Sequence, residues 1–463
     1  MVFYIIGFLI MMYSFFNFKK AFIIFLAFKL FLVQDITVVS VPGIPLLTLD
    51  LLINVFFIIR YTFIRKKVNN AKLSFPYSTP LLGLCFAWIV SSLFAVAGFG
   101  AEVSALLGNI INEILVLVMI WNIIETKDDF NYLFILITMV VLVSCIYGFI
   151  EYRLQFNPLS EYEHLLNNDP SRMLIFNYGT EGPRGYHVNS IFEHPIGASM
   201  TWALYCAFVF MIAISYNEKL PLCFIAFVTA ALCIPSIIIT KQRAGLVFLI
   251  ILSLSFIKIK KKKTYLLLIP AFFSIFLFYE QISNNVNLFL SIFDSNAQIE
   301  VSGSSVSMRI EQLLASIDIM SRSPIWGLGS KYRNIIFDYT ISLLRGVESI
   351  WFFVLPCYGL IGIVSYFYYF YWSVYKIPRF FHSYNLFLYT LAYWLIYSVT
   401  SLPGFRTYML FLVLTYIIKK TSRYQRITNK IKTEWTFKNN VIIYRNVFKN
   451  YKQTLEWPNN SKI

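Results

Sequence analysis

The chain has few charged residues for its length. Asp, Glu, Lys and Arg make up 13% of its 463 positions, whereas a soluble domain carries about 25%. Hydrophobic residues make up 58% and aromatic residues 19%, with 46 Phe and 31 Tyr. This composition excludes a soluble globular enzyme. It is typical of helices that face lipid, with aromatic rings at the two membrane interfaces.

Acidic residues are scarcer than basic ones, 23 against 39, which gives a net charge of +16. The basic residues concentrate beside apolar runs, at Lys19-Lys20, 65–67 and 258–263, and along 419–463. Basic segments that flank spanning helices mark cytoplasmic loops under the positive-inside rule. The charge therefore indicates a topology with a cytoplasmic C-terminus, and we expect no binding to nucleic acid.

Several kinds of catalytic site have no candidate residues in the sequence. All six Cys fall inside apolar segments without metal-ligand spacing, and no Gly-rich phosphate loop or Ser-His-Asp order is readable. We therefore predict neither a bound metal nor a cofactor. The N-terminal apolar run lacks a small-residue cleavage site, so we expect it to be retained as a membrane segment.

The apolar runs predict an all-α polytopic integral membrane protein, because each is close to the ~20 residues that a spanning helix needs. We expect 12 or 13 transmembrane helices, since the first two runs can form one broken element. The candidate spans are 2–17, 21–38, 47–64, 79–98, 104–123, 130–150, 190–215, 220–239, 244–258, 264–282, 347–373, 384–400 and 405–419. A transmembrane domain over 1–420 and a basic cytoplasmic tail over 421–463 follow.

Two predicted outside loops, about 151–189 and 283–346, are long. Loops longer than ~12–15 residues are usually functional or disordered. The second loop contains apolar residues at helical spacing, which are Ile310, Leu313, Leu314, Ile317 and Met320. We expect this large loop to carry amphipathic helices that lie against the membrane surface.

Basic residues on the outside face are informative because the positive-inside rule disfavours them there. Lys241 and Arg243 lie in a short turn between two spans, while Arg184 and Arg309 lie in the two long loops. A cation at that depth is costly without an anionic partner, and Arg suits bidentate contact with phosphate. The set predicts a phosphate-bearing lipid substrate. The alternative is that these cations pair with local acids such as Glu113 or extend to lipid headgroups.

Two carboxylates are further candidates. Glu348 lies where the large loop enters the next span, where a carboxylate can act as general base toward a sugar hydroxyl. It can equally be an acid favoured by a helix N-terminus. Glu113, with Asn109 and Asn112 nearby, marks a polar patch that either lines a cavity or holds an Arg. His194 is interpreted as structural.

Four stretches carry a resemblance to a known family. They are Thr240-Lys241-Gln242-Arg243-Ala244-Gly245; Arg309 with Ser323-Pro324-Ile325-Trp326-Gly327-Leu328-Gly329; Glu348-Ser349 through Tyr358-Gly359-Leu360-Ile361-Gly362; and Arg184 with Ser190-Ile191-Phe192-Glu193-His194-Pro195. Taken in chain order, from Arg184 to Gly362, these stretches resemble those of the O-antigen polymerase and O-antigen ligase superfamily, a polytopic group of metal-independent glycosyltransferases. The resemblance covers residues 184 to 362.

The sequence departs from the family pattern at three places. Gln242 replaces a usual Ser, and Ala244 precedes Gly245 where the family often has Gly first. Glu348 occupies the position of the ligase His, which favours the polymerase branch over a lipid A-core ligase.

The resemblance implies a GT-C-like fold with a large periplasmic loop, in the bacterial inner membrane. It implies polymerisation of undecaprenyl-pyrophosphate-linked repeat units at the periplasmic face by inverting transfer. By the same resemblance Arg243, Arg309 and Glu348 are catalytic, and Arg184, Lys241 and Glu113 bind substrate. The implied partners are the lipid-linked oligosaccharide, the bilayer and a chain-length regulator protein.

Three alternatives stay open on the sequence. A ligase for lipid A-core or protein hydroxyls needs a different acceptor. A lipid-linked oligosaccharide flippase should show repeats and mid-membrane polar residues in both halves, whereas the polar residues here gather on the outside face. A non-catalytic partner of an export complex would tolerate replacement of the Arg residues.

Overall fold

Helices make up nearly all of the secondary structure in the part of the chain that the computed structural model describes. The described residues are 2–30, 32, 36–39, 47–67, 75–159, 185–192, 194–215, 222–254, 306–332, 349–381, 383–399 and 407–420. Arg184, Glu348 and the predicted span 264–282 lie outside them. The chain divides into two units, Met1–Tyr416 and Ile417–Ile463.

The elements are numbered in chain order. They are α1 Val2–Phe16, α2 Phe18–Phe28, β1 Thr37–Val39, β2 Leu47–Thr48, α3 Leu49–Lys67, α4 Ser78–Leu93, α5 Phe99–Asn109, α6 Val116–Ile123, α7 Lys127–Leu154, α8 Pro195–Ser215, α9 Leu222–Ile239, α10 Arg243–Ser253, α11 Val306–Met320, α12 Ile350–Tyr371, α13 Ile377–Phe380, α14 Tyr384–Val399 and α15 Thr407–Lys420. π-Helical segments join α5 to α6 (Ile110–Leu115) and α12 to α13 (Trp372–Lys376).

Four helical stretches of the described chain are long and apolar enough to cross a membrane: Phe99–Ile123, Asp128–Leu154, Pro195–Ile212 and Ile350–Phe380. Shorter apolar helices accompany them, and strand structure among the described residues consists of the antiparallel pair β1 and β2. The all-α polytopic membrane class is therefore confirmed. The total of 12 or 13 spans stays a prediction.

The second predicted span is wrong as a single helix. Asn17 separates α1 from α2 and caps α2 by accepting a hydrogen bond from the Lys20 amide at 3.0 Å. Helix α2 then ends at Phe28, and β1 begins within the predicted span at Thr37. Asn17 thus marks the boundary between the first two apolar runs, and the second run changes from helix to strand before residue 38.

The predicted span 347–373 is also not one straight helix. Gly359 has φ 58° and ψ −154°, which breaks α12. The Trp351 ring stacks on the Phe367 ring with centroids 4.5 Å apart, although sixteen residues of straight helix would separate them by about 24 Å. The first arm of α12 therefore folds back along the second. Residues 360–380 still measure about 30 Å, which is enough to span a bilayer.

Part of the large predicted loop supplies hydrogen-bond partners for the backbone groups at the bend of α12. The Leu328 and Gly329 amides donate to the Pro356 and Cys357 carbonyls at 2.9 and 3.0 Å. In return the Leu360 amide donates to the Pro324 carbonyl at 2.9 Å. Buried backbone groups need such partners, so the segment 323–329 and the bend of α12 form one structural unit.

Glu102, fully buried in the first turn of α5, holds the end of the same loop. Its carboxylate accepts hydrogen bonds from the Ser330 amide at 3.0 Å, the Lys331 amide at 2.8 Å and the Ser330 hydroxyl. The Val96 amide donates to the Leu328 carbonyl at 3.1 Å. The connection between α4 and α5 thus fixes the loop from the other side.

Helix α11 contains the apolar stretch of the large loop that was predicted to be helical, and its helical conformation is confirmed. Its buried face carries Gln312, Ser316 and Ile319, and the Ser316 hydroxyl donates to the Phe352 carbonyl at 3.1 Å. Ile310 and Leu314 are 53% and 60% exposed. The helix therefore turns apolar side chains away from the protein. Its contact with a membrane surface stays a prediction.

Candidate functional site

A tight turn joins α9 to α10; it contains Lys241, predicted to bind substrate, and leads into Arg243, predicted to be catalytic. Helix α9 ends at Ile239 and α10 begins at Arg243, with Lys241 in the left-handed region at φ 54°. The Lys241 amide donates to the Ile238 carbonyl at 3.0 Å. Such a φ is uncommon outside glycine, so the surrounding packing determines this turn. Thr240, Lys241 and Gln242 are called the turn 240–242.

The segment 185–192 lies against this turn and is anchored by Glu151. The Glu151 carboxylate, fully buried in the last turn of α7, accepts hydrogen bonds from the Asn189 amide at 2.9 Å and the Ser190 amide at 2.5 Å. The Tyr186 hydroxyl donates to the same carboxylate at 2.8 Å. Burial, followed by the charge of Glu151, raises the pKa of Tyr186, which keeps this phenol in its donating form.

His187 connects the segment to the turn. Its Nδ1 lies 3.2 Å from the Thr240 carbonyl oxygen and 3.2 Å from the Gln242 side-chain amide. A protonated Nδ1 donates to the Thr240 carbonyl, and an unprotonated Nδ1 accepts from the Gln242 amide. His187 is therefore oriented by the turn that also carries Lys241.

Lys241 lies close to the backbone of the same segment. A Cβ atom built on Gly185, which has φ 61°, would stand 3.2 Å from the Lys241 Nζ. The Lys241 side chain is half-buried, and burial lowers the pKa of its ammonium. A bound anion would offset that cost because an opposite charge favours the protonated form.

Arg243 is the first residue of α10 and is half-buried. Gln242, at the N-cap position, makes no side-chain capping hydrogen bond within the described structure. The start of α10 therefore presents backbone amides and the positive end of the helix dipole beside the Arg243 side chain. This combination suits an anion.

Gly245, two residues after Arg243, lies where a side chain has no room. A Cβ atom at Gly245 would lie 2.2 Å from the Ser199 Oγ and 2.9 Å from the Ser199 carbonyl oxygen. Helices α8 and α10 thus approach each other at this level. The order Ala244-Gly245, which departs from the family pattern, places glycine at the crowded position.

Arg309 reaches the end of α14, where its Nη1 donates to the Val399 carbonyl at 3.2 Å. Helices α10 and α14 pack together, with the Phe248 and Tyr389 ring centroids 6.0 Å apart. Arg243 lies five residues before Phe248 in α10, and Val399 lies ten residues after Tyr389 in α14.

Glu113 lies in the π-helical segment after α5 and is half-buried. Its carboxylate is within electrostatic range of Tyr366, Tyr397 and Lys29. Tyr397 is two residues before Val399, the partner of Arg309. Glu113 therefore lies near the end of α14, while Lys29 forms an ion pair with Asp50.

The end of the bundle with Leu154, Thr240 and Val399 is called the site end. Lys241, Arg243 and Arg309 are at this end, and Glu113 lies deeper in the bundle beneath it. The Arg184 and Glu348 predictions fall outside the described residues, next to Gly185 and to Ser349, which caps α12. The catalytic and binding roles of all six residues stay predictions.

Glu151 and His187 were missed as site residues. Both fall in the predicted loop 151–189, whereas α7 continues to Leu154 and buries Glu151. An acid directly after an apolar run resembles an ordinary interfacial residue. The available signal was weak: Glu151 follows the run 130–150 without a turn-forming residue between them.

Replacing Glu151 by Gln is expected to loosen the segment 185–192. Both carboxylate oxygens accept backbone amides, and the amide nitrogen of Gln cannot accept. We expect the free energy of unfolding to fall by about 1–3 kcal/mol, seen as a lower midpoint of thermal unfolding in detergent. Tyr186→Phe should cause a smaller drop. A midpoint equal to wild type, or an equal drop for the exposed control Glu311→Gln, would contradict the anchoring role.

Comparison with known proteins bears on the family. Residues 225–367 match the family model described as O-antigen ligase. The match contains the turn 240–242, Arg243, Arg309, the segment 323–329 and the bend of α12, which are three of the four stretches behind the resemblance. Comparison with curated proteins finds no match. The superfamily resemblance is confirmed, without distinction between its branches: the chain is a multi-pass membrane protein that contains an O-antigen ligase family domain.

Proposed function

We propose that the protein polymerises a lipid-linked surface glycan such as O-antigen. The observation that carries the proposal is the group of cations at the site end. Lys241 and Arg243 lie beside the start of α10, which the Gln242 side chain does not cap in the described structure, and Arg309 lies at the end of the adjacent helix. Several cations at one end of a membrane bundle suit the diphosphate of an undecaprenyl-linked oligosaccharide.

The proposed reaction is an inverting glycosyl transfer. A hydroxyl oxygen on the non-reducing-end sugar of one lipid-linked repeat forms a bond to the anomeric carbon of the growing chain. The bond from that carbon to the diphosphate oxygen breaks, and its electron pair stays on the diphosphate. The hydroxyl proton passes to a base and then to water.

In this reaction the protein stabilises charge and positions the two lipids. Arg243 and Arg309 hold the leaving diphosphate and stabilise its developing charge. Lys241 adds a third cation, and Arg184 binds the second carrier or the glycan. Glu348 accepts the proton of the acceptor hydroxyl or orients that hydroxyl. Glu113 contributes to binding from beneath the site end.

The proposed location is the bacterial inner membrane, with the site end in the periplasm. The basic segments that flank the opposite ends of the spans support this orientation. A chain-length regulator protein is a proposed partner, and no cofactor is proposed.

A second candidate is an O-antigen ligase, favoured by the description of the matching family model. It would use the same diphosphate site but a lipid A-core or protein hydroxyl as acceptor. Glu348, at the position of the ligase His, favours the polymerase.

The test is lipopolysaccharide banding from a strain without this gene, complemented with wild type or Glu348→Ala. A core with one repeat in the null strain, and a ladder restored by wild type, is the expected result. A core without any repeat would instead indicate a ligase or a flippase. A full ladder from Glu348→Ala would remove that residue from the mechanism.

The lowered pKa of Lys241 predicts a pH dependence. Only the ammonium form pairs with a diphosphate, so the contribution of Lys241 to affinity is complete below this pKa and is lost as the pH rises through it. Because burial places the pKa below the usual ~10.4, we expect the KM for the lipid-linked repeat to rise at moderately alkaline pH. Lys241→Arg stays charged, so its KM should stay level over the same range. Identical profiles for the two proteins would contradict the role.

A further inference from the structure

His187 lies beside the predicted anion site and had no assigned role. Its Nδ1 contacts the Thr240 carbonyl oxygen at 3.2 Å. The Gln242 side-chain amide nitrogen, which only donates, lies at the same 3.2 Å from Nδ1. A protonated Nδ1 therefore donates to the Thr240 carbonyl, as it must in the imidazolium form, whereas an unprotonated Nδ1 accepts from Gln242. The other nitrogen, Nε2, is then the atom whose protonation decides what the ring can bind.

The charged and titratable groups around His187 come from five parts of the chain. Lys241 is in the turn 240–242, Arg243 begins α10, Glu151 ends α7, and Tyr186 precedes His187 in its own segment. His194, before α8, is in electrostatic range, and burial followed by His187 lowers its pKa to about 4. His194 is therefore neutral near pH 7. The charged groups in the turn 240–242 and at the start of α10, Lys241 and Arg243, are cations.

The His187 ring could be the base toward the acceptor hydroxyl or a ligand of the leaving diphosphate. Its position relative to Lys241 decides between these two roles. In an inverting displacement the acceptor hydroxyl and its base lie on the face of the sugar opposite to the leaving group, several ångströms from it. His187 is bonded to the turn that carries Lys241, and Lys241 also approaches Gly185, two residues before it. His187 is thus on the leaving-group side.

We propose that His187 is a phosphate ligand of the leaving diphosphate, which it binds through Nε2–H while Nδ1–H donates to the Thr240 carbonyl. Both nitrogens then carry protons, so the bound form of the ring is the imidazolium. As the sugar–phosphate bond breaks and negative charge grows on the diphosphate, this hydrogen bond strengthens. The inference rests on the proposed function and adds a residue to its leaving-group site.

The test uses full-length protein in nanodiscs and a short-chain polyprenyl diphosphate sugar as the probe. This probe is a diester, so its two charges do not titrate near neutral pH. His187→Asn keeps a donor near the Nδ1 position and loses the Nε2 donor, whereas His187→Gln supplies a neutral donor near Nε2. We expect His187→Asn to weaken probe affinity about 10- to 100-fold at pH 6, and His187→Gln to weaken it less.

The pH profile separates a phosphate ligand from a structural residue. Imidazolium is lost as the pH rises through the imidazole range, near ~6.5 for a free side chain, so wild-type affinity should fall with rising pH. His187→Gln should lack this step. The matched control is His194→Asn, because His194 Nδ1 accepts the Ile196 amide at 3.1 Å before α8 and Asn also caps helices well.

The outcomes distinguish the two levels of inference. If wild type binds the probe and extends lipid-linked repeats, but His187→Asn binds equally well and keeps the same pH profile, the role of His187 is overturned and the proposed function stands. An equal loss in His194→Asn would also overturn it, because a general disturbance of the segment would explain both. If wild type extends no repeats, the proposed function itself fails.

Discussion

Replacing Arg243 by Ala is expected to reduce chain elongation by about 100-fold or more. Removal of one preorganised donor to a developing oxyanion typically costs 10²–10³ in kcat, and Arg243 combines a guanidinium with the start of α10. The measurement is elongation of a lipid-linked repeat by the purified protein in nanodiscs, with kcat and KM determined separately. The loss should fall mainly on kcat.

Two variants sharpen this experiment. Arg243→Lys keeps the charge but loses the bidentate geometry, so it should recover only part of the rate. Arg379→Ala removes an exposed Arg on α13, after the π-helical segment that ends the second arm of α12, and should keep wild-type kinetics. Full activity of Arg243→Ala, with the protein folded and inserted, would show that Arg243 does not stabilise the leaving group.

Replacing Gly327 by Ala is expected to prevent the segment 323–329 from docking in the bend of α12. A Cβ atom there would lie 2.4 Å from the Cys357 carbonyl oxygen and 2.5 Å from the Tyr358 amide nitrogen. Gly327 also has φ 75°, which adds about 1–2 kcal/mol of strain for a side chain. Each buried backbone group left unpaired costs about 1–3 kcal/mol more. The total should exceed about 3 kcal/mol.

The measurement for Gly327→Ala is the yield of monodisperse protein after extraction, together with the midpoint of thermal unfolding. Gly100→Ala is the matched control, because Gly100 lies in α5 with open space around its Cα and a helical φ. It should be neutral or slightly stabilising. A Gly327→Ala protein that melts like wild type would show that the close approach is not required for stability.

The membrane class and the tight α9–α10 turn follow from the sequence because hydrophobicity and length decide them locally. Long apolar runs must form helices in lipid, where every backbone group needs a partner. The bend at Gly359 does not follow from the same reasoning. It depends on hydrogen bonds from the segment 323–329, which a window over residues 347–373 does not include.

The residues of the candidate site also divide into those that the sequence indicates and those that it does not. Lys241, Arg243 and Arg309 could be selected from sequence because a cation on the outside face contradicts a general charge rule. Glu151 and His187 could not, because their significance lies in contacts with the Asn189 amide and the Thr240 carbonyl. Such pairings join segments 38 and 53 residues apart.

The bend of α12 also has a consequence for biosynthesis. Ser91 donates to the Cys357 carbonyl across 266 positions of the chain, and Ser330 contacts Glu102 across 228. At about 5–20 residues per second, the end of α4 and the start of α5 emerge on the order of 10–50 s before these partners exist. Until then the Glu102 carboxylate has none of its Ser330 and Lys331 donors. Nascent chains that stop before residue 356 should therefore be preferred substrates for membrane quality-control proteases.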